Sequence, residues 1–216
     1  FAKGEGATYS YTGAITNAGT VQNMFIYTLN EGTKASNYAF DDPEYGTLKV
    51  TPVSDEVTVT IKGNTATETY DGTEKTVRDY GFEASNDLYG TGDFVFTGAA
   101  VAKGTNVGTY KMGLEADQFS NTSANFTNVT FVVENDGSLT ISPREVVLTS
   151  DSAEKSYDGT ALTKNEQSNV KVSGDGFAKG EGASFDITGS QTDAGSSKNT
   201  FTYTLNEGTQ SANYEI

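Results

Sequence analysis

The feature that most constrains this chain is a segment that is written twice. The seven residues YTLNEGT occupy positions 27–33 and return at 203–209 of a 216-residue sequence. The likeness extends further, because residues 1–40 align without a gap onto residues 177–216, with 23 identical positions by direct count. A catalytic site has to be built only once, whereas a structural unit can be repeated. The duplication therefore predicts a protein made of repeated modules.

Two shorter repeated motifs indicate the repeat length. TYDGT at 69–73 returns as SYDGT at 156–160, and GTLKVTP at 46–52 returns as GSLTISP at 137–143. The repeat of about 88 residues is longer than the roughly 20 to 50 residues of solenoid repeats, so each unit should have its own core. Boundaries after the closing prolines define three segments, which we call N-terminal, middle and C-terminal. These are residues 1–53, the C-terminal part of a type-A repeat; 54–143, a complete type-B repeat; and 144–216, most of a second type-A repeat.

Period-two alternation of apolar residues predicts strands throughout. It occurs in Val57, Val59 and Ile61, in Leu48 and Val50, in Leu139 and Ile141, in Phe94 and Phe96, and in Phe201, Tyr203 and Leu205. In the duplicated strand the set Phe25, Tyr27 and Leu29 is kept, while Met24 and Ile26 stand where the second copy has threonines. That conserved pattern within the chain predicts that this set faces a core.

Turn dipeptides separate the strands and favour an antiparallel protein. Asp71-Gly72 and Asp158-Gly159 are typical of type I′ hairpin turns. The stretch LEADQFSN from Leu114 could form a single helical turn. We therefore expect an all-β protein of tandem antiparallel β-sandwich, Ig-like modules. A β-grasp arrangement is the alternative if a helix crosses the sheet.

Composition excludes several classes of function. The chain has no Cys and no His, which removes thiolate nucleophiles, a histidine base and zinc sites built from these residues. The formal charge of −15 repels phosphate backbones and anionic membranes, so we expect no nucleic-acid partner. No apolar run approaches the roughly 18 residues of a membrane helix, so no membrane insertion is expected either.

The candidate sites in the sequence have plain structural explanations. Gly4, Gly6, Gly180 and Gly182 in AKGEG lack the Gly-Lys-Ser/Thr ending of a phosphate loop and predict a turn. Glu31 and Glu207 lie in duplicated turns, which argues against a carboxylate pair for glycoside hydrolysis.

The acidic side chains that could offer oxygens to calcium lack EF-hand spacing, so a solvated loop is expected; they are Asp79, Glu83, Asp87 and Asp93. Asn121, Asn125 and Asn128 match glycosylation acceptors but predict ordinary strand and loop residues. The sequence thus predicts no enzyme, no cofactor and no catalytic, cofactor-binding or metal residue.

A family resemblance covers essentially the whole chain. VTVTIKGNTATETYDGTEKTV, followed by GTYKMGLEADQF and NVTFVVENDGSLTISP, resembles the tandem YDG and MBG-type repeats of large cell-surface proteins of Gram-positive bacteria. The resemblance implies a non-catalytic, extracellular module in the stalk or adhesive arm of an adhesin, attached to the cell wall through regions outside this sequence. It also implies Lys62 as a candidate for an isopeptide bond, although a surface lysine is the expectation.

Three kinds of partner remain open. Adjacent repeats of the same protein are expected from the tandem order. A host glycan or mucin could stack on exposed tyrosines, but Tyr9 and Tyr11 are two positions apart and both can face a core. Because neither end segment is a whole repeat, strand exchange between copies is the third expectation.

Overall fold

The computed structural model describes residues 1–216 and contains strands and short 3-10 turns but no α-helix. The N-terminal segment holds β1 (Ala7–Tyr11), β2 (Gly19–Asn23), β3 (Phe25–Leu29) and β4 (Gly46–Val50). The middle segment holds β5 (Val57–Gly63), β6 (Thr65–Thr69), β7 (Lys75–Arg78), β8 (Tyr80–Ala84), β9 (Phe94–Phe96), β10 (Val101–Gly104), β11 (Gly108–Lys111), β12 (Phe119–Asn121), β13 (Val129–Asn135) and β14 (Ser138–Ser142). The C-terminal segment holds β15 (Arg144–Ser150), β16 (Leu162–Thr163), β17 (Val170–Gly174), β18 (Ala183–Ile187), β19 (Ser190–Gln191), β20 (Phe201–Leu205) and β21 (Tyr214–Glu215). The 3-10 turns are Ala35–Asn37, Ala116–Gln118, Gln167–Asn169 and Ser211–Asn213.

The all-β class is confirmed, and small sheets compatible with β-sandwich modules carry the fold. The helical turn expected after Leu114 is a three-residue 3-10 turn, Ala116–Gln118, which is too short to cross a sheet. The β-grasp alternative depended on such a helix and therefore loses its basis. No helix is long and apolar enough to span a membrane.

The chain divides into two compact units. Unit 1 comprises Phe1–Thr60, Glu83–Thr97 and Ala116–Val132, and unit 2 comprises Ile61–Phe82, Gly98–Glu115 and Val133–Ile216. A further three-stranded sheet has the order β13-β5-β8.

Unit 1 contains three antiparallel pairs, β1 with β3, β2 with β4, and β9 with β12. Its best-packed region is aromatic, because Tyr89, Phe94, Phe119 and Phe126 are all buried. Neighbouring rings meet at centroid distances between 5.1 Å for Tyr89 and Phe126 and 6.2 Å for Phe94 and Phe119. Such edge-on and offset contacts stabilise a core beyond simple area burial.

Unit 2 contains a three-stranded sheet in the order β11-β14-β6 and a second one in the order β17-β15-β21. The pairs β7 with β10, β16 with β19, and β18 with β20 complete it. Most pairs are antiparallel as expected, but β14 runs parallel to β6 and β15 runs parallel to β21. Parallel neighbours arise where a strand pairs with one that is distant in sequence, and hairpin turns cannot indicate such pairs.

The period-two prediction is confirmed on the central strands. Along β5 the residues Val57, Val59 and Ile61 are buried while the positions between are half-buried. On β14, Leu139 and Ile141 are buried in the same way. These five apolar side chains lie among the most buried in the chain and define the core of the middle segment.

The duplicated strand is less buried than its pattern predicted. Phe25 and Leu29 are half-buried, as are Phe201 and Leu205 in the second copy, but Tyr27 and Tyr203 are exposed. Ile26, on the opposite face, is more exposed still. The direction of the prediction is right, but the face is covered only in part.

The Asp-Gly turns differ from the expected type. Gly72 and Gly159 have positive φ of 82° and 78°, but the aspartates before them do not have positive φ, which a type I′ turn requires at both central residues. The Asp71 carboxylate instead accepts hydrogen bonds from the backbone N–H (2.9 Å) and the hydroxyl (2.6 Å) of Thr73. Asp158 and Thr160 repeat this arrangement. These are Asx turns, which explains why the dipeptide is followed by Thr in both copies.

Candidate functional site at the joints between segments

The joint between the middle and C-terminal segments is centred on the side-chain amide of Asn213. Its Oδ1 accepts the backbone N–H of Val107 at 2.9 Å, and its Nδ2 donates to Oδ1 of Asn106 at 3.0 Å. Asn213 is the only buried polar side chain of the chain, with 1% exposure. A buried amide that is satisfied at both ends fixes distance and orientation together. We call this two-bond arrangement the Asn clamp.

The joint between the N-terminal and middle segments has the same clamp. Oδ1 of Asn125 accepts the backbone N–H of Ala18 at 2.6 Å, and Nδ2 of Asn125 donates to Oδ1 of Asn17 at 3.1 Å. In both cases the clamp residue belongs to the later segment, and the loop that it holds belongs to the earlier one. Two successive joints are therefore made by one arrangement.

A parallel main-chain pair lies next to each clamp and supports the joint. In the first joint, Val53 forms a parallel bridge with Phe126, and its N–H donates to the carbonyl oxygen of Asn125 at 2.8 Å. In the second joint, Arg144 and Tyr214 occupy the same two positions through the β15–β21 pair. The backbone thus carries the chain from one segment to the next in the same register each time.

The second joint also has a hydrogen-bonded cluster around a single carboxylate. Glu181 accepts hydrogen bonds from two tyrosine hydroxyls, from Tyr70 of the middle segment at one oxygen and from Tyr214 at the other. The two tyrosine rings meet edge to face, with centroids 5.5 Å apart. Arg144 lies beside them and donates to the carbonyl oxygen of Tyr70 at 3.4 Å and to that of Gly176 at 2.7 Å. Residues that are far apart in sequence therefore form one closed network.

Burial and the Glu181 charge change the acidity of these phenols. Burial, then the hydrogen bond to Glu181 and its negative charge, raise the pKa of Tyr70 to about 12. Burial also raises the pKa of Tyr214 above its ordinary value. Both hydroxyls therefore stay protonated, and able to donate, as the pH rises to the ordinary tyrosine pKa near 10.

The clamp residues were missed in the sequence, although a signal for them is present. The loop reads TNAGT at 16–20, TNVGT at 105–109 and TDAGS at 192–196, and the clamp reads ASNY at 35–38, SANF at 123–126 and SANY at 211–214. Each series recurs at spacings of 87 to 89 residues. Comparing all three copies, rather than the two best-matched ones, reveals both halves of the joint.

Comparison with known proteins assigns the middle segment. Residues 57–143 match the family model of the MBG domain. The match is consistent with an MBG-type repeat domain in the middle segment, which we call the MBG domain. The MBG family consists of repeat modules of surface proteins that are generally non-catalytic. No curated protein matches the chain, and no solved structure does so either.

The glycine and glutamate candidates lie in turns outside the MBG domain. Gly4 and Gly180 adopt positive φ of 86° and 87° in two equivalent turns, and the backbone N–H of the following glutamate closes each turn. Of these two glutamates, Glu181 is the acceptor at the second joint. Glu31 and Glu207 are exposed in turns of their own.

The acidic candidates do not come together. Asp93 accepts the backbone N–H of Gly90 at 2.8 Å, and Asp79 has a positive φ of 70° at the start of β8. Across residues 1–216 no three acidic side chains form a group that could hold a metal ion. Glu83 lies on β8, so the four candidates are spread over a strand and the loops beside it.

The three asparagines of the glycosylation pattern have different positions. Asn121 donates to the carbonyl oxygen of Phe126 at 2.8 Å and accepts from the Tyr89 hydroxyl at 3.1 Å, so it holds the aromatic core in place. Asn125 is the clamp, and Asn128 is exposed. Lys62 is half-exposed, and its Nζ lies 3.5 Å from a carboxylate oxygen of Glu134. We expect no isopeptide bond at Lys62, and therefore an intact mass equal to that of the unmodified chain.

The tyrosines expected in a core are exposed. Tyr9 and Tyr11 have 49% and 69% of their surface accessible, so the expectation that both are buried is wrong. Tyr9 contacts the ring of Phe25 at 5.5 Å and that of Tyr27 at 6.5 Å. The equivalent of Tyr11 in the C-terminal segment, Ile187, is buried. The aromatic face of the N-terminal segment is therefore open.

Proposed function

We propose that this chain is a non-catalytic spacer in the stalk of a Gram-positive bacterial adhesin, where it holds a binding domain away from the cell wall. Its work is mechanical and spatial. A spacer must transmit orientation from one module to the next, which requires joints that resist bending.

The observation that carries this proposal is the recurrence of the Asn clamp at two successive joints. Each clamp adds two hydrogen bonds to a parallel main-chain bridge, and Asn213 is buried. Module interfaces without such specific contacts are expected to move freely. A repeated, satisfied polar joint favours a fixed angle between neighbours over a flexible linker.

The charge of the chain fits the same role. A net charge of −15 over 216 residues keeps neighbouring copies apart and opposes pairing between exposed strand edges. An extracellular location on a cell surface, with wall attachment elsewhere in the protein, is part of the proposal.

The experiment measures the stiffness of one joint. Because the chain has no Cys, dyes can be placed on cysteines introduced at exposed Lys103 and Glu207, one on each side of the second joint. Single-molecule energy transfer should give one narrow distance distribution. Asn213→Ala should broaden it, whereas Asn37→Ala, at the equivalent but exposed position of the first copy, should not. An unchanged distribution in Asn213→Ala would refute the spacer proposal.

A second candidate function is the binding of a host glycan or mucin. The open aromatic face of the N-terminal segment favours it, because Tyr9, Tyr11 and Tyr27 are exposed beside one another. Aromatic faces provide apolar platforms with a polar edge, as sugar rings require.

A glycan array separates the two functions. If the face binds sugar, reproducible binding should be lost in Tyr11→Ser and kept in Tyr203→Ser, since Tyr203 is a comparably exposed tyrosine of the C-terminal segment. Absence of sugar binding, together with resistance to force in stretching experiments on the same protein, would exclude glycan binding and favour the spacer function.

A further inference from the structure

Parallel pairing occurs both where the chain enters the MBG domain and where it leaves. At the entry, Val53 forms a parallel bridge with Phe126. At the exit, β14 runs parallel to β6, with Ser138 opposite Thr65. The paired residues are 73 positions apart in both places. Entry and exit therefore share one parallel register.

The pairing of β5 with β13 lies between these two places along the chain. At the start of β5, Val57 donates its N–H to the carbonyl oxygen of Asn128 at 2.9 Å. At the end of β5, the carbonyl oxygen of Gly63 accepts from Nδ2 of Asn135 at 3.4 Å. Later residues of β5 thus meet later residues of β13, so this pair is parallel as well. We call the paired residues 53–69 and 126–142 the parallel ladder.

The parallel ladder also carries the most buried side chains of the MBG domain. Val57, Val59 and Ile61 lie on its first strand, and Leu139 and Ile141 lie on its second. Each of the five is at most 2% exposed. Because alternate side chains of a strand share one face, a slip of one strand along the other would disturb the packing of all five together.

Tension along the chain pulls the two strands of the ladder in opposite directions. The residues before the MBG domain draw on the ladder at Val53, and the residues after it draw on the ladder at Ser142. Because the paired strands are parallel, these two points lie at opposite ends of the ladder. The load is therefore shared by its hydrogen bonds at once. Strands that are pulled from the same end would instead separate one pair at a time.

We propose that the parallel ladder is the load-bearing element of the MBG domain and sets the force at which this domain unfolds. The inference rests on the spacer function, because a spacer that holds a binding domain is pulled along its chain. It adds which strands resist the pull. Forced unfolding is governed by the unfolding rate, which falls when many contacts must break together. The antiparallel pairs β7 with β10 and β9 with β12 lie outside the ladder and bear no tension until it breaks.

Pulling the full chain in two geometries tests the ladder directly. Because the chain has no Cys, DNA handles can be attached at cysteines that replace exposed residues. Asp55→Cys with Pro143→Cys loads opposite ends of the ladder, whereas Glu74→Cys with Pro143→Cys loads the same end, since Glu74 follows β6. At one loading rate, the first pair should unfold at a force at least about twofold higher, because the paired residues of β6 and β14 share the load instead of bearing it in turn. Equal forces, or a lower force for the first pair, would overturn the proposal.

Two core variants test the same element without changing the direction of pull. With handles at positions 55 and 143, Ile141→Val should unfold about two- to tenfold faster at constant force, because a methylene is lost from a contact that must break. Phe94→Leu, on β9 outside the ladder, should leave this rate unchanged, although urea denaturation shows its lower equilibrium stability. Acceleration by Phe94→Leu but not by Ile141→Val would contradict the proposal.

Failure of this inference can be told apart from failure of the spacer function. The energy-transfer experiment measures the stiffness of a joint and does not unfold the MBG domain. A distribution that broadens in Asn213→Ala, together with equal forces in the two pulling geometries, would refute the load-bearing ladder and keep the spacer. A distribution unchanged in Asn213→Ala, together with the higher force for the first geometry, would refute the spacer and keep the ladder as the mechanical element of the domain.

Discussion

At the scale of single residues, the same local sequence is buried in one copy and largely exposed in the other. Asn213 and Tyr214 are buried, whereas their counterparts Asn37 and Tyr38 in the first copy are exposed and half-buried. The residues are identical, so the difference comes from the segment that packs against them. The middle segment supplies Asn106, Val107 and Tyr70 to the C-terminal copy.

That pair of copies provides a matched test of the clamp. Asn213→Ala should lower the free energy of unfolding by about 2 kcal/mol, because two hydrogen bonds of about 1 kcal/mol each are removed from a buried site. Asn37→Ala should change it by less than about 0.5 kcal/mol, as is usual for a surface position. Urea denaturation followed by circular dichroism measures both. Equal losses in the two variants would contradict the clamp.

Tyr70 predicts a dependence of stability on alkaline pH. Its folded-state pKa of about 12 lies above the unfolded value near 10. The contribution of a group with a raised pKa is complete below pH 10 and is lost as the pH rises through 12. Tyr70→Phe should cost about 1.5 to 3 kcal/mol at pH 7, since a hydrogen bond to a charged group is lost, and should flatten the decline above pH 10.

The control for Tyr70 is the other YDGT tyrosine. Tyr157 is 69% exposed, so Tyr157→Phe should leave both the stability at pH 7 and its alkaline decline unchanged. Thermal melts at several pH values between 7 and 12 compare the two variants. A decline that is identical in Tyr70→Phe and in the unmodified chain would show that other groups cause it.

At the scale of elements, the closing strands β4 and β14 share a motif but differ in their surroundings. Gly137, before β14, has a φ of +76°, and an added Cβ would lie 2.7 Å from Sδ of Met112 and 2.9 Å from the carbonyl oxygen of Asn64. Gly46, the first residue of β4, has nothing within 4 Å of that position. Gly137→Ala should therefore cost at least about 2 kcal/mol through strain and overpacking, and Gly46→Ala should be nearly silent. Chemical denaturation of both variants measures this, and equal effects would contradict it.

The leucines of the two strands give the corresponding test of packing. Leu139 is 0% exposed, and Leu139→Ala should cost about 2 to 5 kcal/mol through lost burial and the cavity that it leaves. Leu48 is half-buried, so Leu48→Ala should cost less than about half of that loss. A loss in Leu48→Ala as large as that in Leu139→Ala would contradict the half-buried position of Leu48.

At the scale of the whole molecule, the sequence predicted what depends on local pattern. The repeat length, the all-β class and the buried faces of Val57, Val59 and Ile61 follow from spacing alone, because alternate side chains of a strand share one face. The parallel pairs and the exposure of Tyr11 depend on which strands are neighbours, which no local pattern records. The Asn clamp is visible in the sequence only when the copies are compared. Asn125 alone reads as an ordinary loop residue, whereas its alignment with Asn213 marks a repeated position.

The most direct test of the account is amide hydrogen exchange at three equivalent positions. Ala18 and Val107 donate their backbone N–H groups to clamp residues, whereas Ala194, in the third copy of the loop, is exposed. The loop conformation is alike in all three, since the glycine that follows has φ of 155°, 154° and 149°. Two-dimensional NMR at low protein concentration should show slow exchange at Ala18 and Val107 and fast exchange at Ala194, with Val107 becoming fast in Asn213→Ala. Exchange at one common rate in all three loops would contradict the claim that Asn clamps fix the joints.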